Sequence, residues 1–160
     1  MYIKKIFIMM SLLLTLSCGY QAIYSTKQIN KNYNFSINKM DFAEENLIAQ
    51  TLRKNLKTYL GLENKGSNFN LKISTKENKK IISRNKQSEV EIFSMEIMLN
   101  LEIFVSGIRT SKINLEEKFE YNNISNKFDL DQYEKIIRKN LSYELANNIV
   151  SYLYSLSSAN

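Results

Sequence analysis

Few side chains in this 160-residue chain could do covalent or acid–base chemistry. It has one cysteine, Cys18, and no histidine, so the commonest general base and the commonest metal ligand are both missing. Its carboxylates gather at Glu44-Glu45, at Glu116-Glu117 and at the alternating Glu89 and Glu91. These read as helix caps and wetted strand faces, and a chain that is 24% charged produces such neighbours by chance. A glycine-rich phosphate loop, a GxSxG elbow and a paired-cysteine site are all absent. The chain is therefore expected not to be an enzyme, and to need no metal and no cofactor beyond what is attached to Cys18. The densest charge lies in Thr75–Ser88, which holds Lys76, Lys79, Lys80, Arg84 and Lys86 with Ile81 and Ile82.

The neighbourhood of Cys18 says what its thiol is for. Lys4 and Lys5 precede the apolar run Ile6–Leu16, and the small residue Ser17 stands just before the cysteine. A basic start, a short apolar stretch and a small residue make an export signal. About 11 apolar residues at about 1.5 Å each cover little more than half of a ~30 Å hydrocarbon core, which disfavours a permanent span. Leu14-Thr15-Leu16-Ser17-Cys18 resembles the bacterial lipobox, with Thr15 where leucine is more usual. Cys18 is thus expected to become the acylated N-terminus of the mature chain, the alternative being a buried free thiol. The expected organisation is a lipoprotein signal peptide over 1–17, a lipidated tether over 18–32 and a single α+β domain over 33–160.

With one cysteine no internal disulfide can form, so packing alone must hold the domain. The chain carries 22 basic and 16 acidic residues, and loss of Lys4 and Lys5 leaves a formal net of +4. That excess is too small and too scattered to announce nucleic acid.

The elements behind the tether are legible from periodicity. Tyr33, Phe35 and Ile37 alternate with Asn34, Ser36 and Asn38, a half-buried strand. Over Asp41–Leu60 the residues Ile48, Leu52, Leu56 and Leu60 make a helical stripe, with an Asp41/Glu44 capping box at its start and Gly61 as a left-handed stop. A loop over Glu63–Asn68 leads to a strand through Phe69, Leu71 and Ile73, which continues over Thr75–Ser88 as a long strand end or a hairpin arm. Phe93, Met95, Ile97, Leu99, Leu101, Ile103 and Val105 occupy every second position, which only a strand gathers on one face. After the turn Ser106-Gly107-Ile108-Arg109, a strand through Ile113, Leu115, Phe119 and Tyr121 follows, its apolar face broken once by Glu117. A polar connection over Asn122–Asp131 precedes a helix of about seven turns marked by Tyr133, Ile137, Leu141, Leu145, Ile149 and Leu156. The order β-α-β-β-β-α predicts a two-layer α+β sandwich, a four-stranded mixed sheet with both helices packed on one face. Ser94, Glu96, Met98, Asn100, Glu102, Phe104, Lys112, Asn114, Glu116, Lys118 and Glu120 would then lie on the open face.

Cys18-Gly19-Tyr20-Gln21-Ala22-Ile23-Tyr24 is similar to the post-cleavage motif of the lipopolysaccharide-assembly lipoprotein family, LptE, with Ala22 in place of the usual proline. The order of elements resembles that family's fold as well, and Ile81–Phe104 lies where the family has its extended central hairpin. The resemblance implies an outer-membrane lipoprotein held at the periplasmic face by acyl chains such as palmitate on Cys18. It would act as plug and assembly partner of the LptD β-barrel in lipopolysaccharide transport to the cell surface. Gly19, where a retention signal would place Asp, implies sorting to the outer membrane. The resemblance also implies lipopolysaccharide itself as a ligand, with Lys79, Lys80, Arg84 and Lys86 meeting its phosphates by charge-assisted bonds. The same four residues would equally serve as a solvated, aggregation-resisting hairpin tip. The rival reading is a generic periplasmic envelope lipoprotein acting as a scaffold or a lipid-carrying chaperone.

Overall fold

A computed structural model describes residues 34–62 and 66–158. The signal peptide, Cys18 and the tether lie outside the described residues. Strand β1 (Phe35–Phe42) leads to helix α1 (Leu47–Leu56), a single 3-10 turn (Lys57–Tyr59) and β2 (Ser67–Arg84). Strands β3 (Val90–Val105) and β4 (Ile108–Asn122) follow, then α2 (Lys127–Ser158). The sheet order is β1-β2-β3-β4, with β1 parallel to β2 and the other pairs antiparallel. This is the expected α+β fold with a mixed sheet. Among the described residues no helix is long and apolar enough to cross a membrane.

Strand β3 is the spine. Its alternating side chains Met95, Ile97, Leu99, Leu101 and Ile103 are fully buried, and Phe69, Leu71 and Ile73 of β2 extend the same face. The helices cover that face with Ile48, Leu52 and Leu56 from α1 and Ile137, Leu145, Ile149 and Leu153 from α2. The β3–β4 connection is a two-residue turn in which Ser106 and Gly107 have φ of 51° and 82°. Positive φ at both central positions matches the twist of a hairpin, and at Gly107 glycine adopts it without a steric cost.

Helix α1 is shorter than the sequence pattern predicts. Asp41 and Phe42 belong to β1, where the parallel ladder sets them opposite Lys72 and Ile73, so they cannot cap a helix. The cap is Asn46, whose Oδ1 accepts from the Ala49 backbone N–H at 2.9 Å. Glu45 lies before the helix and pairs with Arg53 instead. Gly61 does take the left-handed conformation (φ 65°), and its N–H donates to the Ile37 carbonyl at 2.9 Å.

Helix α2 is longer than expected, at 32 residues, because it starts inside the polar connection. Asn126 supplies its start, Oδ1 accepting from the Phe128 N–H at 2.9 Å. Ile137, Leu141, Leu145, Ile149 and Leu153 recur strictly every fourth residue, so the buried stripe advances about 40° per step around a helix of 3.6 residues per turn. The winding lets one helix pack on β3 and β4 and also on α1. Glu117, the break in β4's apolar pattern, accepts from Asn148 Nδ2 of α2 at 2.8 Å. Ser94 is a small correction to the open face. It is buried because the register sets it between the longer Lys80 and Glu120.

Candidate functional site

The feature best placed to act on something else is the β2–β3 hairpin. β1 ends opposite Ile73, but β2 and β3 continue together to Arg84 and Val90. The turn is built on Asn85, whose Oδ1 accepts from the N–H groups of Gln87 and Glu89 at 3.0 and 2.9 Å. Such an Asx-type turn is what a short polar side chain offers in place of a ladder. Ser88 closes it at φ 64°.

The four basic residues expected to bind phosphate are not brought together. In a strand, consecutive side chains point to opposite faces, which separates Lys79 from Lys80. Lys79 points to the helix side of the sheet, where its Nζ lies 2.5 Å from Glu134 Oε1 and 4.1 Å from the Phe93 ring centre. Lys80 points to the open face, 3.5 Å from Glu96. Arg84 donates to the Ser88 carbonyl at 2.7 Å and so braces the turn, while Lys86 stands exposed at the tip. All four are exposed along the hairpin, Lys79 while paired with the buried Glu134.

Lys79 instead joins an ionic cluster that periodicity alone did not reveal. Glu134 is buried on α2 and accepts from the Tyr121 hydroxyl at 2.8 Å as well as from Lys79. Arg138, one turn later, places Nε 2.8 and 2.9 Å from the two oxygens of Glu77. Burial, and then the bond to Glu134, push the Tyr121 hydroxyl well above its ordinary value. The Glu77 bond holds Arg138 still more firmly protonated. The signal was present in the spacing. Glu77 and Lys79 share the parity of Phe69, Leu71 and Ile73, and Glu134 and Arg138 flank Ile137 at i, i+4. Charged residues on buried positions point to partners across the layer interface.

The open face carries a second titrating pair. Glu116 lies diagonally across from Glu96, and the two carboxyls share a hydrogen bond that pushes Glu116 above the ordinary carboxylate value. The same bond, helped by Asn78, holds Glu96 below it. At one end of this face a groove of about 490 Å³ is lined by Asp41, Lys72, Glu102 and Lys112 among others. Phe42, Ala43 and Ile73 line it too, so its wall mixes charged and apolar groups. The space between sheet and helices is filled by the fully buried side chains of β1, β2 and β3.

No family model and no curated protein sequence matches the chain. Solved structures do. Rare lipoprotein B from Shewanella oneidensis superposes with a TM-score of 0.62 at 11% identity, over 76% of this chain and 98% of that one. A minor lipoprotein from Acinetobacter baumannii gives 0.58 at 14% identity, over 77% and 92%. Lipoprotein B from Nitrosomonas europaea gives 0.58 at 12% identity, over 82% and 92%. At these identities the likeness is one of fold, and the chain shares the fold of these bacterial lipoproteins.

Proposed function

We propose that the chain is an outer-membrane lipoprotein of LptE type, acylated at Cys18, that plugs and assembles the LptD β-barrel for lipopolysaccharide transport. The observation that carries this reading is a conjunction. A fold shared with three solved lipoproteins, over 92–98% of their lengths, stands directly behind a lipobox-like cysteine followed by Gly-Tyr. The role is binding and assembly rather than catalysis. Several acyl chains on Cys18 would anchor it firmly, since one chain gives only marginal attachment. The polar open face and hairpin suit the wet lumen of a barrel. A filled core favours a plug over a lipid carrier, which would need a deep apolar cavity between sheet and helices.

Direct lipopolysaccharide binding, in this reading, rests on Lys80, Arg84 and Lys86, since Lys79 is engaged by Glu134. Affinity purification of the native lipoprotein from outer membrane tests the assignment. Recovery of a stoichiometric large β-barrel is the expected result, and recovery of the lipoprotein alone would refute it. Replacing Lys80, Arg84 and Lys86 with Gln should weaken lipopolysaccharide binding, and unchanged binding would remove the ligand role.

A further inference from the structure

The two ends of the sheet differ in which segments of the chain they gather. β1 runs parallel to β2, so the chain enters the domain at Phe35, opposite Ser67. The antiparallel β3 and β4 bring their own turn to that same end, with Asn70 opposite Phe104 and Val105 opposite Ile108. The residues following α1 reach it too, because Leu60 bridges to Ile37. The hairpin turn at Asn85–Glu89 lies at the other end, about 50 Å away along β2 at roughly 3.3 Å per residue.

At the entry end two aliphatic side chains face water. Ile108 is 74% exposed at the turn and Leu60 is 41% exposed. They sit at about the same level on opposite edges of the sheet, four strand spacings or roughly 19 Å apart. Lys57 and Arg109 are exposed beside them. From the chain entry to the level of Lys72, the pair Lys39–Asp41 cancels. Among the described residues Arg109 and Lys112 then share the carboxylate of Glu102, at 3.5 and 3.3 Å, while Lys57 and Lys72 add to the positive excess. The hairpin end exposes aliphatic side chains as well, Ile81 and Ile82, but mixes Glu89, Glu91 and Glu120 with its lysines. Sixteen residues lie between Cys18 and Phe35 in the sequence, which bounds the distance from an acylated Cys18 to this end at about 60 Å.

We propose that this end of the domain, with Ile108 and Leu60 as apolar contacts and Lys57 and Arg109 as cations, is a docking surface for an anionic phospholipid leaflet. Exposed aliphatic residues beside basic ones are the composition that partitions to a charged interface. The proposal rests on the lipoprotein reading, since a tether at Cys18 keeps the surface near its leaflet and lets a weak contact persist. In the free lipoprotein the contact stands the sheet on end and points the hairpin away from the membrane.

Two measurements test it. In lipidated protein Cys18 is acylated, so Ile108→Cys provides a unique thiol for an environment-sensitive fluorophore. In vesicles of phosphatidylethanolamine and phosphatidylglycerol at 3:1, the Ile108 label should shift to the blue and be quenched by brominated lipid, while a Lys86→Cys label should do neither. Equal water exposure of the two labels would overturn the proposal. The second measurement uses the mature chain from residue 18 carrying Cys18→Ser, sedimented with phosphatidylglycerol vesicles at low salt. Arg109→Gln and Lys57→Gln should each lower partitioning about fivefold. Partitioning unchanged by both substitutions would overturn the surface. A mass spectrum showing no acyl chain on Cys18 would refute the lipoprotein reading, and the sedimentation result then decides the surface alone.

Discussion

Adjacent lysines on one strand should behave as opposites when removed. Lys79→Met deletes an ammonium bonded to Glu134, in a pair whose lysine side chain is 35% exposed and whose glutamate side chain is 9% exposed. A hydrogen bond to a charged group contributes about 1.5–3 kcal/mol, and partial exposure of the lysine points to the lower half of that range. Loss of the cation above the Phe93 ring adds about 0.5 kcal/mol, while the methionine stem keeps most of the packing. The expected cost is about 2 kcal/mol, or roughly 6–12 °C in Tm for a domain of this size. Lys80→Met removes a 60% exposed lysine lying 3.5 Å from Glu96 and should cost at most about 0.5 kcal/mol. Urea denaturation of both variants measures the difference directly. A cycle pairing Lys79→Met with Glu134→Gln should return a coupling of at least about 1 kcal/mol. Equal midpoints for the two lysine variants, or a coupling near zero, would refute the separation of the two side chains between the faces.

Two further outcomes follow from the same physics. In the folded chain Glu116 holds its proton to higher pH than an ordinary carboxylate, so this group favours folding as pH falls through its value and weighs against it above. Glu116→Gln should therefore raise the urea midpoint at pH 7, and that gain should vanish once pH drops below the ordinary carboxylate value. Asn46→Ala should cost about 1 kcal/mol by removing the bond to Ala49, whereas Asp41→Ala should leave the helix unaffected, as chemical denaturation with a helix-sensitive probe would report.

Local patterning settles the layers. The alternation from Phe93 to Val105 admits only a strand, the stripes of both helices admit only one buried side, and Ser106-Gly107 admits a tight hairpin. These are local rules, each decided within a few residues of where it acts. The boundaries of α1 were not local, because Asp41 is a sound cap in isolation and is lost to a parallel ladder with Lys72, 31 positions away. Nor was the partner of Lys79, since alternation says which face it takes but not that Glu134 waits there 55 residues later. The entry end is of the same kind. Phe35, Leu60 and Ile108 come to the same end of the sheet only because β1 is parallel to β2 and β4 antiparallel to β3, a choice made by packing across the whole sheet. Tertiary structure therefore decided which charges are structural and which are free to meet a partner, because that depends on contacts between segments too far apart in sequence for any local pattern to specify.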